Sequence, residues 1–235
     1  IFYKRKQIIV MLITQKVSNE VLPFIKSNIE LGSNIILGCS AGADSTALAI
    51  IMSNVVSKYS LNIQLNYINH KLRDNKSILE EKKFVKQLAK KLNFAYSYFD
   101  ISKSEFDSLH DSSLENTARI LRYQKLSINA QKFDSNIILL GHTANDSAET
   151  ILFNIIRGSG LKGIEGIRKI TSKKINDNQF KILRPLIDIK KDITEKICTE
   201  NFINPIFDKS NDDYKFTRNK IRKEIIPELE DLSLI

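Results

Sequence analysis

Ile36-Leu37-Gly38-Cys39-Ser40-Ala41-Gly42-Ala43-Asp44-Ser45 is the stretch that decides the architecture. An apolar run stops at a cluster of small residues. Ala47, Leu48, Ile51, Met52 and Val55 then recur at helical spacing, so the segment reads as strand, tight turn and amphipathic helix. Small residues let backbone N–H groups approach an anion closely, and the helix start adds unpaired donors and partial positive charge. Ser40 and Ser45 add hydroxyls, and Asp44 is suited to a Mg²⁺ that bridges phosphates. The Gly-Lys-Ser/Thr element of a Walker A loop is missing. The same residues also suit an ordinary helix cap, with Ser40 or Asp44 satisfying backbone donors.

Outward from this turn, strand-like and helix-like runs alternate. Asn34–Leu37, Ile63–Asn69, Ala95–Ile101 and Ile137–Leu140 read as strands. Between them lie the stripe above, a second one through Phe84, Val85, Leu88 and Leu92, and helical candidates at 114–133 and 145–157. Such alternation predicts an α/β fold, a doubly wound parallel sheet of Rossmann type. Ligands of these sheets sit beyond the carboxyl ends of the strands. After Gly166 the periodicity weakens: Lys173–Gln179 reads as a loop, Ile182–Ile187 surrounds Pro185, and Asp192–Asn201 is helical. The divisions expected are an N-terminal extension at 1–30, a central domain at 31–190 and a helical, basic extension at 191–235.

With 36 basic against 27 acidic residues the net charge is +9, which suits a polyanion such as RNA and equally a solvated Lys-rich surface. The two cysteines, Cys39 and Cys198, form no CxxC pair and no zinc knuckle, in keeping with a reducing compartment. Lys4-Arg5-Lys6 before Ile8–Ile13 imitates a signal peptide, but the apolar run is short and no cleavage site follows. No stretch reaches the length of a membrane span.

Further segments carry chemistry. Asn69-His70-Lys71-Leu72-Arg73 follows the second strand. Glu115, Arg119 and Arg122 share one helical face, placing two guanidinium forks beside a carboxylate, suited to phosphate or to a surface ion pair. Gly141-His142-Thr143-Ala144-Asn145-Asp146-Ser147-Ala148-Glu149-Thr150 follows the fourth strand and runs on to Arg157-Gly158-Ser159-Gly160. Asp146 and Glu149 lie three apart at a helix start, able to hold an ammonium group and a metal, or to stabilise the helix dipole.

Together these segments resemble the tRNA(Ile)-lysidine synthetase family of N-type ATP pyrophosphatases. The loop at 40–45 resembles its S-G-G-x-D-S signature, with Ala41 in place of the first glycine. If that backbone position has positive φ, Ala costs about 1 kcal/mol. The match continues through V-N-H-x-L-R at His70 and Arg73 and E-x-x-A-R-x-x-R-Y at Glu115–Tyr123. It extends over G-H-x-x-D-D-x-x-E-T…R-G-x-G at Gly141–Gly160, with Asn145 for the first aspartate. Arg184-Pro185-Leu186 and Asp208–Pro227, containing Ser210, Asn211, Tyr214, Arg218, Asn219 and Arg222, complete it.

The resemblance implies ATP and Mg²⁺ at Ser40, Ala41, Gly42, Ala43, Asp44 and Ser45, with Asp44 as the metal ligand. It implies free lysine recognised by Asp146 and Glu149, catalytic roles for Asp44, Asp146, Glu149 and Arg119, and contacts to a CAU-anticodon tRNA(Ile) from His70, Arg73, Arg122, Arg157, Arg218 and Arg222. The expected product is lysidine, in a bacterial cytosol or a plastid stroma, with a homodimer compatible. The further C-terminal domains of longer members are not expected here. Two other readings remain: a tRNA thiolase sharing the adenylation step, which generally needs paired cysteines, and a basic RNA-binding module without catalysis.

Overall fold

The computed structural model describes residues 2–69, 75–109, 114–206 and 217–232. Helix α1 (Phe2–Asn28) leads into β1 (Asn34–Gly38), α2 (Ala43–Val56), β2 (Asn62–Asn69), α3 (Asn75–Lys91), β3 (Ala95–Asp100), α4 (Lys103–Ser108) and α5 (Leu114–Lys132). β4 (Ile137–Leu140), α6 (Ala144–Ile156), α7 (Leu161–Ile164), β5 (Ile170–Ile175), β6 (Asn178–Leu183) and α8 (Lys191–Glu200) follow. The chain closes with α9 (Thr217–Lys220), a π-helical turn at Ile221–Ile225 and α10 (Ile226–Leu232).

The sheet order is β3-β2-β1-β4-β6-β5. Every pairing is parallel except β5 with β6. The chain steps outward from β1 to β3, then returns to start the other half at β4. The carboxyl ends of β1 and β4 therefore form the switch point where ligands of doubly wound sheets bind. Strand alternation divides the core between two faces. Ile35 and Leu37 of β1 and Ile137 and Leu139 of β4 join the face covered by α1, α2, α3 and α8. Ile36, Ile138 and Leu140 join the other, against Leu126 and Ala130 of α5 and Phe180 of β6.

The structure corrects the reading of Lys173–Gln179 as a loop: it is mostly an antiparallel hairpin. Ile175 pairs with Asn178 across the two-residue turn Asn176-Asp177, whose φ angles of 47° and 64° match the turn that fits strand twist. Its lysines lie on a strand that opens one face to water, while Ile175, Phe180 and Ile182 point into the core.

Helices α1 and α8 pack together onto the sheet. Val17, Val21, Ile25 and Ile29 recur every four residues along and just beyond α1 and are buried in the main cluster. Glu200 accepts from the Thr14 N–H and hydroxyl. Thr194, Ile197 and Cys198 of α8 are buried as well. Among the described residues no helix is long and apolar enough to cross a membrane.

Candidate active site

The turn after β1 brings Ala41 into the left-handed region, with φ at 67°. That conformation costs a residue with a Cβ about 1–2 kcal/mol. The strained methyl is fully buried, and the Ala41 carbonyl accepts from the Ile206 N–H at 3.0 Å. Gly42 caps α2 without a side-chain hydrogen bond, so neither Ser40 nor Asp44 acts as the ordinary cap. Ser45 instead braces the loop: its hydroxyl accepts from the Ser40 N–H at 3.1 Å and donates to the Gly42 carbonyl at 3.1 Å.

Asp44 turns toward α8 and accepts from the Thr194 hydroxyl. Burial pushes its carboxyl up to about 6; the Thr194 bond opposes that, and neighbouring Asp146 reinforces it. A residue other than glycine at 141 would place its Cβ 2.9 Å from the Asp44 carbonyl oxygen. Gly141 thus lets the turn after β4 press against the start of α2.

That contact sets α6 beside the loop. Asp146 takes the Thr143 N–H at 2.8 Å and the Thr143 hydroxyl at 3.1 Å on one oxygen. Asn145 accepts from the Lys191 N–H at 2.8 Å, fastening α6 to the start of α8. Glu149, only 5% exposed, receives both arms of Arg222: Nε at 2.6 Å and Nη2 at 2.8 Å. Asp146 and Asp44 also support the charge of this guanidinium. Arg222, expected to face RNA, thus lies on the carboxylates expected to hold lysine.

A basic group flanks this acidic one. Arg119 of α5 is exposed. Arg122 lies 5.6 Å from the Tyr123 ring, and Lys173 of β5 lies 4.1 Å from the same ring. Arg184, just after β6, reaches the Tyr123 hydroxyl at 3.4 Å. His142 is pushed down to about 4, chiefly by burial and then by Arg122, with Asp146 pulling the other way. Farther out, Arg157 and Arg218 sit 5.2 and 5.1 Å from the Phe153 ring.

His70 and Arg73, and the tail at 208–214, lie outside the described residues, as does the side chain of Glu115. Thr194 and Lys191 join the site without any local signal, their partners lying far off in sequence. Arg184 was marked only by its Arg-Pro-Leu setting, and Lys173 by nothing beyond its charge.

A phosphate-type loop at the switch point of a doubly wound sheet, with three carboxylates against it, defines a nucleotide-binding α/β protein. The chain belongs to the PP-loop domain family, whose pattern it matches over residues 13–229. It is similar to the tRNA(Ile)-lysidine synthase of Clostridioides difficile, 32% identical over 86% of this chain and 42% of that protein. It is similar also to that of Thermosipho africanus, 35% identical over 87% and 46%, and to that of Dehalococcoides mccartyi, 30% identical over 94% and 47%. The chain spans less than half the length of these relatives. Among solved structures, the U34-tRNA thiolase NcsA from Methanococcus maripaludis, with its [4Fe-4S] cluster, superposes with a TM-score of 0.74. It is 14% identical, with 94% of this chain and 74% of that one covered; this likeness is one of fold.

The thiolase reading is not favoured. Both cysteines are buried and free. Burial holds Cys39 above the ordinary thiol range and Cys198 at about 12, against the thiolate that sulfur chemistry needs.

Proposed function

We propose that this chain forms the catalytic part of a lysidine-forming ligase acting on a CAU-anticodon isoleucine tRNA. The carbon-2 oxygen of the wobble cytidine attacks the α-phosphorus of ATP, and the bond to the β-phosphate breaks to release pyrophosphate. The lysine ammonium gives a proton to solvent, and its free ε-amine attacks carbon 2. The bond to the adenylate oxygen breaks so that AMP leaves with the electron pair, and the new C–N nitrogen sheds its extra proton to solvent. The observation that carries this reading is the set of carboxylates Asp44, Asp146 and Glu149 gathered beside the phosphate loop, in a chain about a third identical to the named synthases.

Asp44 fits Mg²⁺ on the donor side: a buried carboxylate held high by burial and by Asp146 gains from a cation, and Mg²⁺ commonly takes one or two carboxylates plus substrate phosphates. Such an ion would neutralise the departing pyrophosphate. The loop at 40–45 presents backbone donors to the phosphates, while Ser45 keeps its shape. Asp146 and Glu149 receive the lysine ammonium, whose compact three-donor head suits a carboxylate pair. Arg222 holds Glu149 until RNA phosphate draws it away, so tRNA arrival opens the lysine position. Arg119, Arg157 and Arg218 contribute positive surface to the same RNA.

The test is AMP release with lysine and a CAU-anticodon tRNA supplied together or singly. Release that needs both supports the reading. AMP formed equally well without lysine, or with any tRNA, overturns it.

A further inference from the structure

Arg184 is 6% exposed and firmly held. Nη1 donates to the Arg168 carbonyl at 2.7 Å and the Thr171 hydroxyl at 2.9 Å, and Nη2 donates to Tyr123. Its Nε is buried and, among the described residues, has no partner, and the same holds for Nε of Arg122 and Nδ1 of His142. A buried polar atom left unpaired costs about 1–3 kcal/mol, and three in one neighbourhood, two of them guanidinium donors, need a reason.

The charges point the same way. Arg119, Arg122 and Arg184 all push Lys173 down, after burial, and Arg119 and Arg184 do the same to Arg122. Among the described residues no carboxylate pairs with any of these four. Three cations meet at Tyr123 with Arg119 near them, and with no counter-charge among the described residues this arrangement suits an anion with several acceptor oxygens. Guanidinium forks match the oxygen spacing of phosphate. His142 directly follows Gly141, which touches Asp44, so the group adjoins the phosphate loop.

We propose that Arg122, Lys173 and Arg184, gathered around Tyr123 beside His142, form a second phosphate-binding site, distinct from the loop at 40–45, that grips a phosphate oxyanion of a bound substrate. The β5–β6 hairpin and α5 are its two walls, and Tyr123 fixes the cations by ring contact and by its hydroxyl. In the free protein the cations repel one another; the arriving oxyanion takes up the orphaned donors and relieves that repulsion.

This rests on the function proposed above, where phosphate is supplied by ATP and by the RNA backbone. The experiment uses the full 235-residue chain and the variants Lys173→Gln and Arg184→Gln, titrated with inorganic pyrophosphate and with a CAU-anticodon stem-loop at several salt concentrations. Loss of one charge-assisted contact predicts about tenfold weaker binding or more. If the oxyanion belongs to ATP, pyrophosphate affinity falls and RNA affinity holds. If it belongs to RNA, stem-loop affinity falls and the slope of log K against log salt shrinks by about one.

Thermal unfolding without ligand separates a site from a structural pin. Relief of like-charge repulsion predicts that Lys173→Gln keeps or raises the melting temperature. Unchanged affinity for both probes in Lys173→Gln, with a lowered melting temperature in Arg184→Gln, overturns the proposal. A wild-type chain that binds pyrophosphate but no RNA, with both variants impaired for pyrophosphate, overturns the RNA substrate and leaves the second site standing.

Discussion

The two sides of the cleft are charged oppositely and finished differently. On the acidic side every carboxylate has a partner: Asp44 takes Thr194, Asp146 takes Thr143 and Glu149 takes Arg222. On the basic side Arg122, Arg184 and His142 keep buried atoms unpartnered. The acidic side is satisfied within the chain, so in the proposed reaction the lysine ammonium has to displace a partner. Among the described residues the basic side leaves those atoms open, and the second site proposed above gives them to an anion. The lysidine-forming ligase proposed above, which joins lysine to an adenylated RNA, would use both.

The largest effect expected is from Asp44→Asn. It removes the only loop carboxylate and should lower pyrophosphate release by a hundredfold or more, on the order of losses seen when one transition-state contact is deleted. Folding should survive, because the replaced charge is disfavoured by burial. Near wild-type turnover at saturating Mg²⁺ and ATP would break the assignment.

Arg222→Ala tests whether the acidic side is held shut. With Glu149 unlatched, the lysine KM should fall, by up to about tenfold, while stem-loop affinity drops. A lysine KM that rises together with a lowered melting temperature would make Arg222 a structural clamp, since stripping a buried pair of one partner is costly.

The two sides should also oppose each other in acid. Asp44 has its folded value raised from 3.8 to about 6, so the folded state holds more protons and stability falls as pH rises from about 4 to 6. His142 is lowered from 6.5 to about 4, so the unfolded state holds more protons and stability climbs with pH across nearly the same window. In the wild type the two slopes largely cancel. Asp44→Asn should uncover the histidine slope, worth about 3 kcal/mol at most between pH 4 and 6.5. Denaturant melts that stay flat with pH in the variant would contradict it.

The smallest effect is Ala41→Gly. Relief of the left-handed backbone gains about 1–2 kcal/mol, and loss of a buried methyl gives back about 0.8 kcal/mol. The net stabilisation should be about 0.2–1.2 kcal/mol, read by denaturant midpoint. A clear loss would mean that the methyl matters more than the strain.

Much of this was legible in the chain. The loop from Gly38 to Ser45, the four parallel strands first expected and the carboxylates after Gly141 are local patterns, set by spacing over a few residues. The hairpin at 170–183 was hidden because Lys173 and Lys174 stand side by side in a polar run and its turn, Asn176-Asp177, looks like loop composition. The partners Thr194 for Asp44 and Arg222 for Glu149 lie 150 and 73 residues away, and no local pattern encodes such distances. The tail arginine read as an RNA contact was therefore placed by family likeness alone, and its bond to Glu149 needed coordinates.

In the proposed reaction Glu149 serves lysine and not the first chemical step. The decisive measurement separates adenylated tRNA from lysidine in Glu149→Gln, with ATP, Mg²⁺, lysine and CAU-anticodon tRNA present. Losing one charge-assisted hydrogen bond of about 1.5–3 kcal/mol predicts a ten- to hundredfold weaker use of lysine, with adenylated tRNA forming at close to the normal rate. Equal loss of both steps would assign Glu149 to metal or fold, and the acidic side would not be a lysine receptor.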